Sequence, residues 1–231
     1  MSRSQCPDCN ASRGLAVYVK NTYCFSCHKK TPFRSLIKNY YTNKYEIVLD
    51  DIEKLPNRCR KVLSNYYLTE LHESAYNISY SPKLDRILFY VCDSVWARAM
   101  DNTKKDKWLK IAGNTKHTLI PNQSWPDTVC IVEDIISGIR CADIMSTIVL
   151  CGTNYKTDEF KDLIQNYKNV ILALDADEAG KSISEQFIKD YKLLKHIYQV
   201  RNNKDPKCYS LRELPVLIGS SKGIEQKEEI K

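Results

Sequence analysis

From Thr128 onward the sequence keeps one rhythm, a short apolar run followed by an amphipathic stretch of helical length. Residues 129–132, 147–150, 170–174 and 196–200 read as strands. Residues 135–145, 157–167 and 179–193 read as helices, the second with Thr157 or Asp158 placed to cap it. Strands and helices alternating in this order predict a parallel sheet with right-handed crossovers, covered on both faces. A sheet of that kind takes its ligands at the carboxyl ends of its strands.

Residues 170–181 read VILALDADEAGK, and carry Asp175 and Asp177 at such an end. Side chains alternate along a strand, so if the extended course continues, both carboxylates point the same way. Two acceptor-only groups side by side repel unless a cation lies between them. An isolated Asp-x-Asp is equally well read as a solvated loop. Glu133, at the end of the strand 129–132, brings a third carboxylate to the same edge and favours the metal site. Ala179-Gly180-Lys181-Ser182 imitates the tail of a nucleotide-binding loop, but the leading glycine of that motif would fall on Asp175, so the loop is rejected.

At the amino-terminal end, Cys6-Pro7-Asp8-Cys9 and Cys24-Phe25-Ser26-Cys27 are two CxxC pairs separated by fourteen residues. That spacing suits two knuckles holding one tetrahedral zinc through Cys6, Cys9, Cys24 and Cys27. Residues 15–19 and 22–23 read as strands of the ribbon between them, turning at Lys20-Asn21. A module of this size buries too little surface to fold unaided, so the metal would supply its stability. A redox reading accounts for one CxxC and not two; the CxxCH ending at His28 matches haem attachment, which needs export. The other six cysteines form no CxxC pair and read as small core residues.

Between ribbon and sheet lie a polar, tyrosine-rich linker (31–49) and a mixed region (50–127). Helices are expected from Leu55-Pro56 to Tyr66 or Tyr67 and over 69–75, then a strand over 86–91 with a hairpin partner over 95–100 carrying Arg98. Lys104, Lys105, Lys107 and Lys110 surround Trp108, a pattern suited to a triphosphate or single-stranded nucleic acid, and equally to a solvated lysine face. A net charge of +7 with fifteen interleaved tyrosines fits a polyanionic partner without requiring one. No apolar run reaches membrane-spanning length and the first ten residues have no signal-peptide core, so a cytoplasmic protein with reduced thiols is expected.

Glu133, Asp175-Ala176-Asp177 and Lys204-Asp205-Pro206 in this setting resemble the TOPRIM domain of topoisomerases and primases. With a four-cysteine ribbon ahead of it, the chain resembles a DNA primase of bacterial type, nearest the phage subfamily in which primase is fused to helicase. Residues 55–108, through Arg86-Ile87-Leu88-Phe89, Ala97-Arg98 and Lys107-Trp108, are similar to the basic subdomain preceding TOPRIM there. The resemblance spans residues 6–215 and implies an α/β fold, a TOPRIM parallel-sheet domain (128–218) after a mixed α+β basic subdomain (50–127) and a small β zinc ribbon (1–30), with residues 219–231 a disordered tail.

The same resemblance implies an enzyme, a nucleotidyltransferase making short RNA primers on a single-stranded DNA template from ribonucleoside triphosphates. Glu133, Asp175 and Asp177 would ligate magnesium or manganese, with Asp205 a less certain fourth. Arg98, Lys105, Lys107, Trp108 and Lys181 would bind nucleotide or template, and Tyr23 and Phe25 of the ribbon would stack on bases. A separate replicative helicase is the expected partner, in the host cytoplasm if the source is viral. A TOPRIM nuclease and a non-catalytic recombination mediator are the rival readings. In the mediator the zinc site follows a helical DNA-binding segment and lies close before TOPRIM, whereas here the ribbon comes first.

Overall fold

Short strands open the chain. The computed structural model describes residues 3–4, 15–17, 21–24, 26, 30–32, 52–92, 94–100, 106–113, 116–152, 154–200 and 202–223. β1 (Arg3–Ser4), β2 (Leu15–Val17), β3 (Asn21–Cys24) and β4 (Lys30–Pro32) form an antiparallel sheet in chain order, with Leu15 opposite Cys24. The hairpin expected between the cysteine pairs is therefore β2–β3. Cys6, Cys9, Phe25 and Cys27 lie outside the described residues, and only the strand course is described for Tyr23 and Cys24.

The chain divides into two units, Met1–Cys59 with Glu70–Gly113, and Arg60–Thr69 with Asn114–Lys231. α1 (Asn57–Ser64) begins just after Pro56, a residue suited to a helix's first turn, and α2 (Glu70–Ala75) follows. In the first unit β5 (Ser79–Ser81), β6 (Arg86–Val91), β7 (Ser94–Ala99) and β8 (Trp108–Ala112) form a second antiparallel sheet in chain order. All six residues of RILFYV are buried, and Leu88, Tyr90, Val95, Ala97, Ile111 and Ala112 form the core. Val91 pairs with Ser94, leaving a two-residue turn that Cys92 opens at φ 55°. Such hairpin turns need that left-handed backbone, and here no glycine provides it.

From Trp108 the lysine-rich stretch runs as β8 along β7, placing Trp108 opposite Arg98. The buried Arg86 guanidinium donates to the carbonyls of Asp106 at 2.6 Å and Lys107 at 3.2 Å, fixing the entry to that strand.

In the second unit the elements are β9 (Thr118–Ile120), β10 (Thr128–Val132), α3 (Ile135–Ala142), β11 (Thr147–Val149), α4 (Asp158–Ile164), β12 (Asn169–Leu172), α5 (Glu178–Tyr191) and β13 (His196–Gln199). A 3₁₀ turn (Pro206–Cys208), α6 (Glu213–Gly219) and β14 (Lys222–Gly223) complete it. The sheet order is β14-β13-β12-β10-β11-β9, parallel in its four central strands and antiparallel at both edges. Residues 222–223, expected in a disordered tail, instead pair with β13.

From β10 the chain steps outward to β11, then returns to β12 on the other side of β10 and continues to β13. Crossovers of one hand that run in opposite directions must lie on opposite faces of the sheet. Accordingly α3 packs on β9, β10 and β11, with Gly138 so near Val149 that an added Cβ would meet its Cγ2 at 2.3 Å. The other face holds Phe160 and Ile164 of α4 and Ile183 and Phe187 of α5, over Val129, Ile131, Ile148, Val170, Leu172 and Ile197. Phe187 stacks on Tyr191 at 4.6 Å between ring centres. Thr157 caps α4, its hydroxyl accepting from Phe160 N at 3.1 Å. Cys59, Cys130 and Cys141 are buried and Cys92, Cys151 and Cys208 half-buried, in keeping with their reading as packing residues.

Candidate active site at the switch point of the sheet

The reversal of strand order falls between β10 and β12, and the carboxyl ends of two such strands, whose chains depart in opposite directions, are where sheets of this kind take their ligands. Glu133 is the first residue after β10. Asp175 lies three residues beyond β12, which ends at Leu172, two residues short of the expected strand. The backbone N–H of Asp175 donates to Glu133 Oε1 at 3.1 Å, joining the two strand ends through the site itself.

The paired strand β12 ends before the two aspartates of the Asp-x-Asp. Asp177 keeps an extended backbone and is the N-cap of α5, its carboxylate accepting from Gly180 N at 2.9 Å. Gly180 packs into the junction: a Cβ there would stand 2.1 Å from the Asp175 carbonyl oxygen and 2.8 Å from Glu133 Oε1. Glycine is what lets the first turn of α5 press against both strand ends.

Asp205 reaches the same edge from the loop after β13, its Oδ1 accepting from Ala176 N at 3.3 Å. Asn202 fastens that loop, donating to the Leu174 and Lys204 carbonyls at 2.9 and 3.1 Å. Sequence reasoning missed two further members. Asp134 caps α3, accepting from Ile136 N at 2.8 Å and Ser137 N at 3.1 Å. Lys207, buried at 4% exposure, sends its Nζ to Asp134 Oδ2 at 2.7 Å, Asp205 Oδ2 at 2.7 Å and Asp175 Oδ2 at 3.4 Å. Its signal in the sequence was slight: a lysine two residues after Asp205, on a turn started by Pro206.

Burial and mutual repulsion set the electrostatics. Glu133 is pushed up to about 7, first by loss of solvent and then by the Asp175 charge. Asp175 is pushed up to about 6 by burial, against the opposing pull of Lys207. Lys207 itself is raised, because Asp134 and Asp175 more than offset the cost of burying its charge. Asp175 Oδ1 is buried with no hydrogen-bond partner. An unpartnered carboxylate oxygen among other carboxylates is costly unless a cation completes it. The donors are all hard oxygens, the set that magnesium or manganese prefers. Among the described residues no group of three or more His, Cys, Asp or Glu side chains is drawn together closely enough to hold a metal ion as it stands.

The remaining candidates are scattered. Arg98 is 3% exposed, its Nη1 donating to the Ala99 carbonyl at 3.4 Å and its guanidinium 6.0 Å from the Trp108 ring. The pairing of β7 with β8 sets this buried guanidinium against the Trp108 ring. Trp108 is half-buried against Phe89, Lys107 is exposed, and Lys105 lies outside the described residues. Lys181 projects from α5 and pairs with Glu178 at 2.8 Å.

The Toprim domain family model matches residues 128–204, the segment containing Glu133, Asp175 and Asp177. Comparison with curated proteins finds no match. Among solved structures, the Aquifex aeolicus primase, in its zinc-binding and RNA polymerase domains, is similar at a TM-score of 0.62 and 14% identity, over 96% of this chain and 79% of that one. The DnaG primase catalytic domain bound to single-stranded DNA gives a TM-score of 0.60 and 13% identity, over 82% of this chain and 78% of the other. The primase fragment of the bacteriophage T7 primase-helicase gives 0.51 and 12%, over 95% and 98%. Among the described residues no helix is long and apolar enough to cross a membrane.

Proposed function

We propose, starting from a Toprim domain at residues 128–204 in a chain with the fold of bacterial and phage primases, that this protein is a DNA-dependent RNA primase. One observation carries the reading: Glu133 and Asp175 meet at the switch point of the sheet, with a buried Asp175 oxygen that has no partner. Joining ribonucleotides requires the 3′-hydroxyl of one to attack the α-phosphate of the next and release pyrophosphate. Charge then grows on phosphoryl oxygens, and a divalent ion held by carboxylates stabilises it.

In this reading Glu133, Asp175 and Asp177 hold magnesium or manganese, and Asp205 steadies the loop beside them. Glu133 and Asp175 have the larger affinity for protons in the metal-free site, so ion binding and proton release go together. Asp177 faces solvent and also fixes the first turn of α5, which makes it the ligand nearest to incoming phosphate. Lys107, exposed just before β8, would meet the triphosphate or the template together with Lys105 and Trp108. Cys6, Cys9, Cys24 and Cys27 would hold a structural zinc, and the ribbon's Tyr23 and Phe25 would stack on template bases. The partners called for are single-stranded DNA, ribonucleoside triphosphates and a replicative helicase.

The test is direct. Zinc-loaded protein is incubated with single-stranded DNA of varied sequence, the four ribonucleotides and magnesium, and the products are resolved as short RNA. Template-dependent oligoribonucleotides are expected from the parent and none from Asp175→Asn of unchanged fold. Synthesis at the parent's rate by that variant would remove the site assignment; absence of RNA from every template would remove the activity.

A further inference from the structure

Lys207 is a buried cation set among Asp134 and two carboxylates of the proposed site, Asp175 and Asp205. We infer that the Lys207 ammonium stands where a second metal ion would otherwise sit, so that the site takes one divalent ion. The inference rests on the metal-centre reading above and specifies it further.

Paired metal ions in phosphoryl and nucleotidyl transfer lie about 3.5–4 Å apart and share a bridging carboxylate. Asp175 is the natural bridge, central between Glu133 and Asp205. Its two oxygens have been given different work. Oδ2 faces Lys207 Nζ at 3.4 Å, and that ammonium also takes Asp134 Oδ2 and Asp205 Oδ2, both at 2.7 Å. Oδ1 is buried and has no partner. A first ion would complete Oδ1. An ion bridged through Oδ2 would need the space and the three oxygens that Lys207 already holds. An ammonium so placed has the charge to restrain the carboxylates before any metal arrives, and cannot leave without exposing three half-buried acids to one another. It is held there by the fold: Pro206 starts the 3₁₀ turn that carries it, and Tyr209 closes the loop by bonding Asn203 through both its hydroxyl contacts, at 2.9 and 3.2 Å. Lys207 is on this account a positioning residue and a resident counter-charge, with no part in proton transfer.

The experiment counts bound manganese by the loss of its free-ion resonance signal on titration into zinc-loaded full-length protein. The parent is expected to bind one ion, competed by magnesium and lost in Asp175→Asn. Lys207→Met, of similar length and no charge, is expected to bind two, and Lys207→Arg one. Two competable ions on the parent would overturn the inference and leave the metal-centre reading standing; so would a single ion on a folded Lys207→Met. No competable ion on the parent would overturn both. The parent count stands alone if Lys207→Met fails to fold.

Discussion

The Asp175 backbone N–H donates to Glu133 Oε1 at 3.1 Å, although the two residues are 42 positions apart in the chain. The bond makes Glu133 structural and chemical at once: one oxygen seats the chain leaving β12, and the side chain still belongs to the cluster of acids. Any change that moves one strand end must therefore move the other.

Gly180 tests that coupling. By intrinsic helix propensity, alanine in a helix is favoured over glycine by about 1 kcal/mol. At this position its Cβ would meet the Asp175 carbonyl oxygen at 2.1 Å and Glu133 Oε1 at 2.8 Å. The backbone contact cannot rotate away, so the sign should reverse. Gly180→Ala is expected to lose about 1–3 kcal/mol of stability in urea unfolding, the range for overpacking a tight site. A gain in stability would mean that α5 does not press on the strand ends as described.

Asp134 has two separable duties. As N-cap of α3 it accepts from Ile136 N and Ser137 N, and as an anion it pairs with Lys207 at 2.7 Å. Asparagine can replace the cap but not the charge, whereas alanine replaces neither. Asp134→Ala should therefore be less stable than Asp134→Asn by about 1 kcal/mol, the usual worth of an N-cap. Both should fall below the parent, since Lys207 loses a partner in each. Thermal unfolding of the three proteins decides it, and equal losses in the two variants would deny the cap its role.

The parallel sheet was legible in the sequence because Val129–Val132 and Val170–Leu174 are apolar at successive positions, as a strand covered on both faces must be. Glu133 and Asp175 could be placed at one edge from that pattern alone. The second duty of Asp177 could not, because it depends on where α5 begins: Asp177, still extended, is its N-cap. Strand β8 was hidden by its lysines: Trp108-Leu109-Lys110-Ile111 alternates in polarity only from its second residue, and its partner Arg98 is a charged residue buried in the sheet. Lys207 was hidden most completely. A lysine is buried only when acids surround it, and Asp134, Asp175 and Asp205 come from three separate segments.

The zinc assignment is tested by metal content. Cys27→Ser removes one of four thiolates, and a three-thiolate site holds zinc far less tightly. The parent should carry one zinc per chain after purification, and the variant much less than one. The variant's magnesium-dependent stabilisation should survive, because the carboxylates lie in the other unit. Equal zinc in both proteins would refute the four-cysteine site.

The acids give the metal-free protein an unusual response to pH. Glu133 sits at about 7 and Asp175 at about 6, each raised chiefly by burial, whereas both titrate near 4 when the chain unfolds. Between pH about 4 and 7 the folded protein therefore holds more protons than the unfolded one. Its stability must fall as pH rises through that window, by about 1–3 kcal/mol for the two groups together once solvent screening of these half-buried carboxylates cuts the full linkage value by more than half. Lys207 stays charged throughout, and the depressed Asp190, at about 2, acts below the window. Glu133→Gln removes the larger contribution, so it should lie closer to its own pH 5 stability at pH 8 than the parent does. Magnesium, which binds the ionised carboxylates, should stabilise the parent at pH 8 and scarcely at pH 5. Urea unfolding at the two pH values, with and without magnesium, measures all of these. A parent whose slope between them matches that of Glu133→Gln would show that Glu133 does not carry the raised proton affinity, and the buried acid pair would then need another account.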